Sequence, residues 1–276
     1  MTYPTLMVQM EIAGSNTGLL RVAGHLAEQF HADVIGIAAC QPMQTVYGSG
    51  CYVAASIIEQ DRDEIEKQIK AAEIEFRNAL GSCAGSITWR STITFSPLSN
   101  YFAREARGAD LVLTGGSPGS PANISQQVSK GDLIMQVGRP VLIVPTVVDE
   151  LALDHVVIGW KDTRETRRAA HDALPLLKRV GRVTVVELTS GEHLAASRTH
   201  LADVVCWLQR HGISTTFLTL PSTGDDVVQL RAILREQKAD MLVAGAYGHS
   251  RLREWALGGV TRDLLLHADR CALVSH

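Results

Sequence analysis

Ala109-Asp110-Leu111-Val112-Leu113-Thr114-Gly115 and, 130 positions later, Ala239-Asp240-Met241-Leu242-Val243-Ala244-Gly245 are two versions of one segment: an acid, a short aliphatic run and a glycine. Such a run, ending on a turn residue, reads as a strand buried on both faces. The repetition continues outward. Val141-Leu142-Ile143-Val144 falls on Cys271-Ala272-Leu273-Val274 at the same offset. At an offset of 150, Leu6-Met7-Val8-Gln9-Met10 meets Val156-Val157-Ile158-Gly159-Trp160, and Val34-Ile35-Gly36-Ile37 meets Thr184-Val185-Val186-Glu187. The chain is therefore two copies of one unit, the first longer by about 20 residues in its middle.

Within each copy, aliphatic runs alternate with amphipathic stretches. In the second copy strands are expected near 155–160, 182–188, 214–219, 240–245 and 271–275, with helical segments such as 201–211 and 227–237 between them. In the first, 54–80 is a long amphipathic candidate with Ile57, Ile58, Ile65, Ile69, Ala72 and Phe76 near helical spacing, and it absorbs the extra residues. Strands that alternate with helices indicate an α/β fold: two tandem Rossmann-like domains, each a five-stranded parallel sheet with helices on both faces. The seam falls near 146–154, placing the domains at 1–147 and 152–276.

Composition excludes several classes of function. Of 276 residues, 46% are hydrophobic and 20% charged, and 26 basic against 29 acidic side chains give a formal charge of -3. No basic field is available to hold a nucleic acid or an anionic membrane. Glu11 interrupts the N-terminus before a signal-like apolar region forms, and no apolar run approaches the ~18 residues of a membrane span, so a cytoplasmic location is expected. The five cysteines are scattered without C-x-x-C, which reads as reduced thiols in the core. The ten histidines show no metal-ligand spacing. Gly115-Gly116-Ser117-Pro118-Gly119 spells a hydrolase elbow, but Pro118, Gly119 and Pro121 make a loop where that elbow needs a helix, and no catalytic residue is assigned. No G-x-G-x-x-G or G-x-x-x-x-G-K-[ST] is present either.

A sheet of this kind binds ligands at the carboxyl ends of its strands, where helix N-termini converge. There the second copy carries Trp160-Lys161-Asp162 and Gly245-Ala246-Tyr247-Gly248, then nine residues, then Gly258-Gly259-Val260-Thr261-Arg262. The glycines would let backbone amides approach an anion, and the Thr261 hydroxyl could donate to a phosphate oxygen.

Gly245-x2-Gly248-x9-Gly258 closely resembles the G-2x-G-9x-G-(S/T) signature of universal stress proteins, whose domains have an adenine nucleotide alpha hydrolase-like fold. The likeness covers both halves, including Gly138-Arg139-Pro140-Val141-Leu142-Ile143-Val144-Pro145, similar to the family's final strand. The resemblance implies that Gly245, Gly248 and Gly258 hold the phosphates of ATP, with or without magnesium. The Gly259 amide and Thr261 would be donors, and a backbone group near Leu188 would meet the base. Position 259 is glycine where ATP-binding members carry Ser or Thr. Their nucleoside-fixing acid aligns with Lys161, with Asp162 one position later. In the first copy only Gly115 persists, with Pro118, Val128, Ser129 and Gly131 opposite Gly248, Gly258, Gly259 and Thr261, so that site is expected to be degenerate. The implied function is a non-enzymatic stress-response protein in which the nucleotide is a conformational signal for a protein partner. Alternatives are an interaction scaffold without nucleotide and a slow ATPase or self-phosphorylating protein. The resemblance also implies that the two last strands, 141–144 and 271–274, meet, and that two chains could form a homodimer through strand edges.

Overall fold

The computed structural model describes residues 2–12, 14–43, 55–116, 128–246 and 269–276. The first half contains β1 (Thr5–Gln9), α1 (Thr17–Phe30), β2 (Asp33–Cys40), α2 (Ala55–Leu80), β3 (Ile87–Ile93), α3 (Leu98–Glu105), β4 (Leu111–Gly115), α4 (Lys130–Gln136) and β5 (Val141–Val144). The second contains β6 (His155–Trp160), α5 (Arg164–Asp172), α6 (Leu174–Leu177), β7 (Arg182–Thr189), α7 (Leu194–Arg210), β8 (Thr215–Pro221), α8 (Asp226–Glu236), β9 (Met241–Gly245) and β10 (Cys271–Ser275).

Local chemistry explains the helix ends. The Thr163 hydroxyl accepts the Thr166 amide at the start of α5, and the Asp225 carboxylate accepts the Val227 and Val228 amides at 3.1 Å at the start of α8, each using one short polar side chain on amides that have no helical partner. Helix α7 stops at Arg210, with His211 as its cap. Gly212 then turns the chain at φ 80°, a conformation that costs glycine no Cβ clash.

All ten strands form one sheet in the order β3-β2-β1-β4-β5-β10-β9-β6-β7-β8. Each half repeats one parallel pattern, and the halves join where β5 and β10 run antiparallel, with Val141, Leu142 and Ile143 opposite Val274, Leu273 and Ala272. The two last strands therefore do meet. Alternate strand residues feed two cores that run through both halves: Ile158 belongs to the one that includes residues of α1, α2, α5 and α7, and Val157 to the one that includes residues of α3, α4 and α8. Helices cover both faces, as parallel strands with no polar face require. Contacts beside the seam bind the halves further. The Tyr3 hydroxyl donates to the Asp172 carbonyl at 2.5 Å, the Ser275 hydroxyl donates to the Asp172 carboxylate at 3.0 Å, and Arg179 lies over the Phe30 ring.

Two expectations need correction. Cys40 and Cys271 are buried, but Cys83 is half-buried and Cys206 is exposed, because Cys206 falls on the outward face of α7, where scattered spacing says nothing about direction. Cys51 lies outside the described residues. Along α2, Ile65, Ile69, Ala72 and Phe76 are buried while Ile57 is exposed, because the first turns run past the edge of the sheet-covered core.

Candidate functional site: the crevice between β6 and β9

From β6 the chain winds outward through β7 and β8, then returns to β9 on the other side of β6. Chain order therefore reverses at β6 and β9, which opens a crevice at their carboxyl ends. Gly245, the last residue of β9, flanks it. A Cβ at Gly245 would lie 2.5 Å from the Thr166 amide nitrogen and 2.7 Å from the Glu165 carbonyl carbon, so the strand end and the first turn of α5 approach each other as only glycine permits. Lys161 and Asp162 leave β6 on the opposite lip. The Lys161 Nζ is 3.2 Å from the Asp226 carboxylate at the start of α8, and Asp162 pairs with Arg167 at 2.6 Å, both side chains exposed. Partial burial would raise the Asp226 pKa, but the bonds from Ser222 and Lys161 outweigh it and hold the carboxyl below its ordinary range. Leu188 stands one residue beyond the Trp160 and Glu187 pair in the β6 and β7 register, which sets its backbone beside Lys161. Its half-buried side chain packs into the core on the α8 face. Gly245 thus ends β9, Asp162 follows the end of β6 and Leu188 lies near the end of β7, whereas Gly248, Gly258, Gly259 and Thr261 lie outside the described residues.

On the α5 and α7 face of the same lip lies a polar row that sequence reasoning passed over. Trp160, Glu187 and Thr219 are neighbours in register across β6, β7 and β8. The Glu187 carboxylate, 7% exposed, accepts the Ser197 hydroxyl at 2.5 Å and lies 2.7 Å from the His200 Nε2. Its signal was an acid inside the aliphatic run Val183-Thr184-Val185-Val186-Glu187-Leu188: a carboxylate can be buried there only if donors reach it. Trp160 is 6% exposed, and among the described residues its Nε1 is the buried side-chain polar atom without a hydrogen-bond partner. Leaving that donor unmet costs about 1–3 kcal/mol.

In the first half the corresponding lip is filled by the chain itself. Glu11, at the position equivalent to Lys161, reaches over the end of β4, so that a Cβ on Gly115 would meet its Oε1 at 2.9 Å. Lys130, the first residue of α4, lies 3.4 Å from that oxygen, and both side chains are largely buried. Asn16 clamps the Glu11 backbone, accepting from its amide at 2.8 Å and donating to its carbonyl at 3.1 Å. Burial lowers the Lys130 pKa, and Glu11 opposes that shift.

No family model and no curated protein matches the sequence. The fold matches solved structures along its whole length. A universal stress protein from Archaeoglobus fulgidus DSM 4304 superposes with a TM-score of 0.74 over 98% of this chain and 95% of its own, at 13% identity. A structure titled as a universal stress protein from Pseudomonas aeruginosa UCBPP-PA14 gives 0.60 over 99% and 93%, at 14% identity. A functionally unknown protein from Pseudomonas aeruginosa PAO1 gives 0.59 over 99% and 92%, at 13% identity. The chain therefore has the α/β fold of tandem universal stress proteins.

Proposed function

We propose that the protein is a tandem universal stress protein whose second domain, 152–276, binds ATP or a related adenine nucleotide as a conformational signal in the stress response, while the first, 1–147, is structural. The observation that carries this reading is the β6 and β9 crevice, where Gly245 brings the strand end onto the first turn of α5. In this reading Gly245, Gly248 and Gly258 cradle the phosphates, the Gly259 amide and Thr261 donate to them, Asp162 faces the ribose and the Leu188 backbone meets the base. Lys161, an exposed cation beside the end of β6 that pairs with Asp226, favours a polyphosphate over a neutral nucleoside. A divalent ion such as magnesium would come with the polyphosphate. The first domain carries no nucleotide in this reading, because the Glu11 and Lys130 pair already supplies both charges at its lip.

No side chain of the described lip is placed as a general base or nucleophile: Asp162 is engaged by Arg167 and Lys161 by Asp226. A binding switch, read by a protein partner or by a second copy of the chain in the cytoplasm, accounts for the site without turnover. The test is to denature protein purified from cells, identify released nucleotide by mass spectrometry and repeat with Gly248→Val and Gly258→Val. About one adenine nucleotide per chain, lost in both variants, is expected. Added ATP with magnesium at 100-fold above Kd should stabilise the fold by about 2.7 kcal/mol. No released nucleotide and an unmoved melting temperature would leave an interaction scaffold as the better account.

A further inference from the structure

Strands β3 and β8 are the two edges of the sheet, and they are finished differently. Both are seven residues long. In β3 the fourth residue is Arg90, whose guanidinium lies 2.9 Å from the Glu105 carboxylate, and Trp89 beside it packs against Phe76 of α2 at 5.5 Å between ring centroids. A charge in the middle of an edge and a covering helix both block pairing with a further strand. Strand β8, Thr215-Thr216-Phe217-Leu218-Thr219-Leu220-Pro221, holds no charged residue. Leu218 stands where β3 has Arg90, and Phe217, where β3 has the half-buried Trp89, is exposed.

The direction of each backbone group follows from the register. The Val183 amide donates to the Ser214 carbonyl and the Ser222 amide to the Thr189 carbonyl, so the even-numbered residues of β8 bond to β7, and the amides and carbonyls of the odd-numbered ones point away from the sheet. At the ends these outward groups are taken or missing. Gln209 Nε2 donates to the Thr215 carbonyl at 3.5 Å, Gln229 Nε2 donates to the Pro221 carbonyl at 2.9 Å, and proline has no amide hydrogen. Phe217 and Thr219, in the middle, present two donors and two acceptors that a single added strand would meet together.

The geometry points to β8 as a homodimer interface, in which β8 of a second copy pairs antiparallel about a two-fold axis at Leu218. Phe217 then lies opposite Thr219 of the partner subunit, and each such pair exchanges two hydrogen bonds, while Leu218 faces its own copy in the pair between them. Charge and closure select a second copy as the occupant. With no charge on β8, the axis brings no like charges together along the strand, whereas the same operation on β3 would set Arg90 against its own copy. Pairing of β3 with β8 would leave one edge of each kind open and grow without end; β8 with β8 closes, leaving only the edges that carry Arg90. A contact of one strand per side is smaller than the about 1,200 Å² of a standard interface, so the dimer is weak and concentration-dependent. The interface goes beyond the nucleotide reading and uses none of its residues.

The experiment is sedimentation equilibrium of the full chain, without nucleotide, from about 1 μM to about 1 mM. The wild-type chain is expected to pass from monomer to dimer and no further. Leu218→Arg, which copies the β3 device, and Phe217→Pro, whose lost amide points away from β7, should each raise Kd about tenfold or more. Urea unfolding at the dilute end, where the chain is monomeric, should show both variants folded, and Arg90→Ala should leave Kd unchanged. In a Cys206→Ser background, Leu218→Cys should crosslink two chains on oxidation, because residues facing each other in such a pair have Cα atoms about 4.5 Å apart; Thr216→Cys, displaced from the axis, should not. A wild-type chain that stays monomeric throughout, which would leave the edge to a strand of another protein, overturns the proposal. So does a dimer whose Kd is unmoved by Leu218→Arg and Phe217→Pro, or one lost in Arg90→Ala instead.

Discussion

The two halves share a fold and differ in what stands at the carboxyl ends of their strands. In the first, positions 10, 11 and 38 are Met, Glu and Ala; in the second, the residues that the strand register places at the same points, 160, 161 and 187, are Trp, Lys and Glu. The first half answers with a closed lip: Met10 and Ala38 are buried in plain apolar packing, and Glu11 pairs with Lys130. The second leaves Lys161 on an exposed lip, a buried carboxylate that draws in Ser197 and His200, and an indole donor with nothing to meet. A duplicated unit can thus keep its core while the polar groups at its strand ends diverge: one copy pairs them internally and the other leaves them exposed or unmet.

The largest effect should come from the seam that both halves share. Leu273 is fully buried opposite Leu142 in the antiparallel pairing of β5 and β10. Leu273→Asp should cost about 4 kcal/mol or more, as an unpaired carboxylate enters the core, whereas Phe217→Asp on the outer strand β8, 37% exposed, should cost about 1 kcal/mol or less. Urea unfolding of both variants measures the difference. Equal costs would mean the seam is not the common core of the two halves.

The next contrast is between equivalent glycines. Gly245→Ala should cost about 3 kcal/mol, since the added methyl meets backbone of α5 that cannot give way. Gly115→Ala should cost under about 1 kcal/mol, since the added methyl meets the end of the Glu11 side chain, which can swing aside. The same denaturation series ranks them, and the reverse order would contradict the tighter approach in the second half.

Glu11→Gln should cost about 2 kcal/mol at pH 7, because it strips a largely buried Lys130 of its carboxylate. The effect is pH-dependent. The folded Lys130 pKa lies below the unfolded value of 10.5, chiefly through burial, so between the two the unfolded chain binds more protons and stability rises with pH. The variant lowers the folded pKa further, so the deficit against wild type should shrink as the pH approaches 10.5. A deficit that stays constant from pH 7 to 10 would show that Lys130 is not the group responsible.

The smallest effect is expected at Lys161. Lys161→Met should change stability by under about 1 kcal/mol, because Lys161 is exposed and Asp226 only half-buried, but it should raise the Asp226 pKa toward its ordinary value, read by carboxyl NMR titration. In the wild-type chain this lowered pKa contributes stability above about pH 3.8 that is lost as the pH falls through the folded value. No movement of the Asp226 resonance would assign the shift to Ser222 alone.

Much of the fold is legible in the sequence. The repeat, the strand positions and the parallel pattern follow from aliphatic runs at fixed offsets, and β9, expected at 240–245, is Met241–Gly245. The site is legible only in outline. Glycine spacing marks where a chain can turn closely, and Gly245 does so, but spacing does not say what a side chain touches. Asp162 is paired with Arg167, and the Glu187, Ser197 and His200 cluster joins residues 10 and 13 positions apart through register and helix phase together.

By itself the sequence determined the duplicated α/β units, because hydrophobic periodicity is a local property that any strand or helix must satisfy wherever it packs. Only the tertiary structure decided that Glu11 closes one lip, that Lys161 leaves the other exposed and that the Trp160 donor goes unmet. Those outcomes depend on which charges and helices meet across the sheet, and such distances are set by packing between elements far apart in the chain.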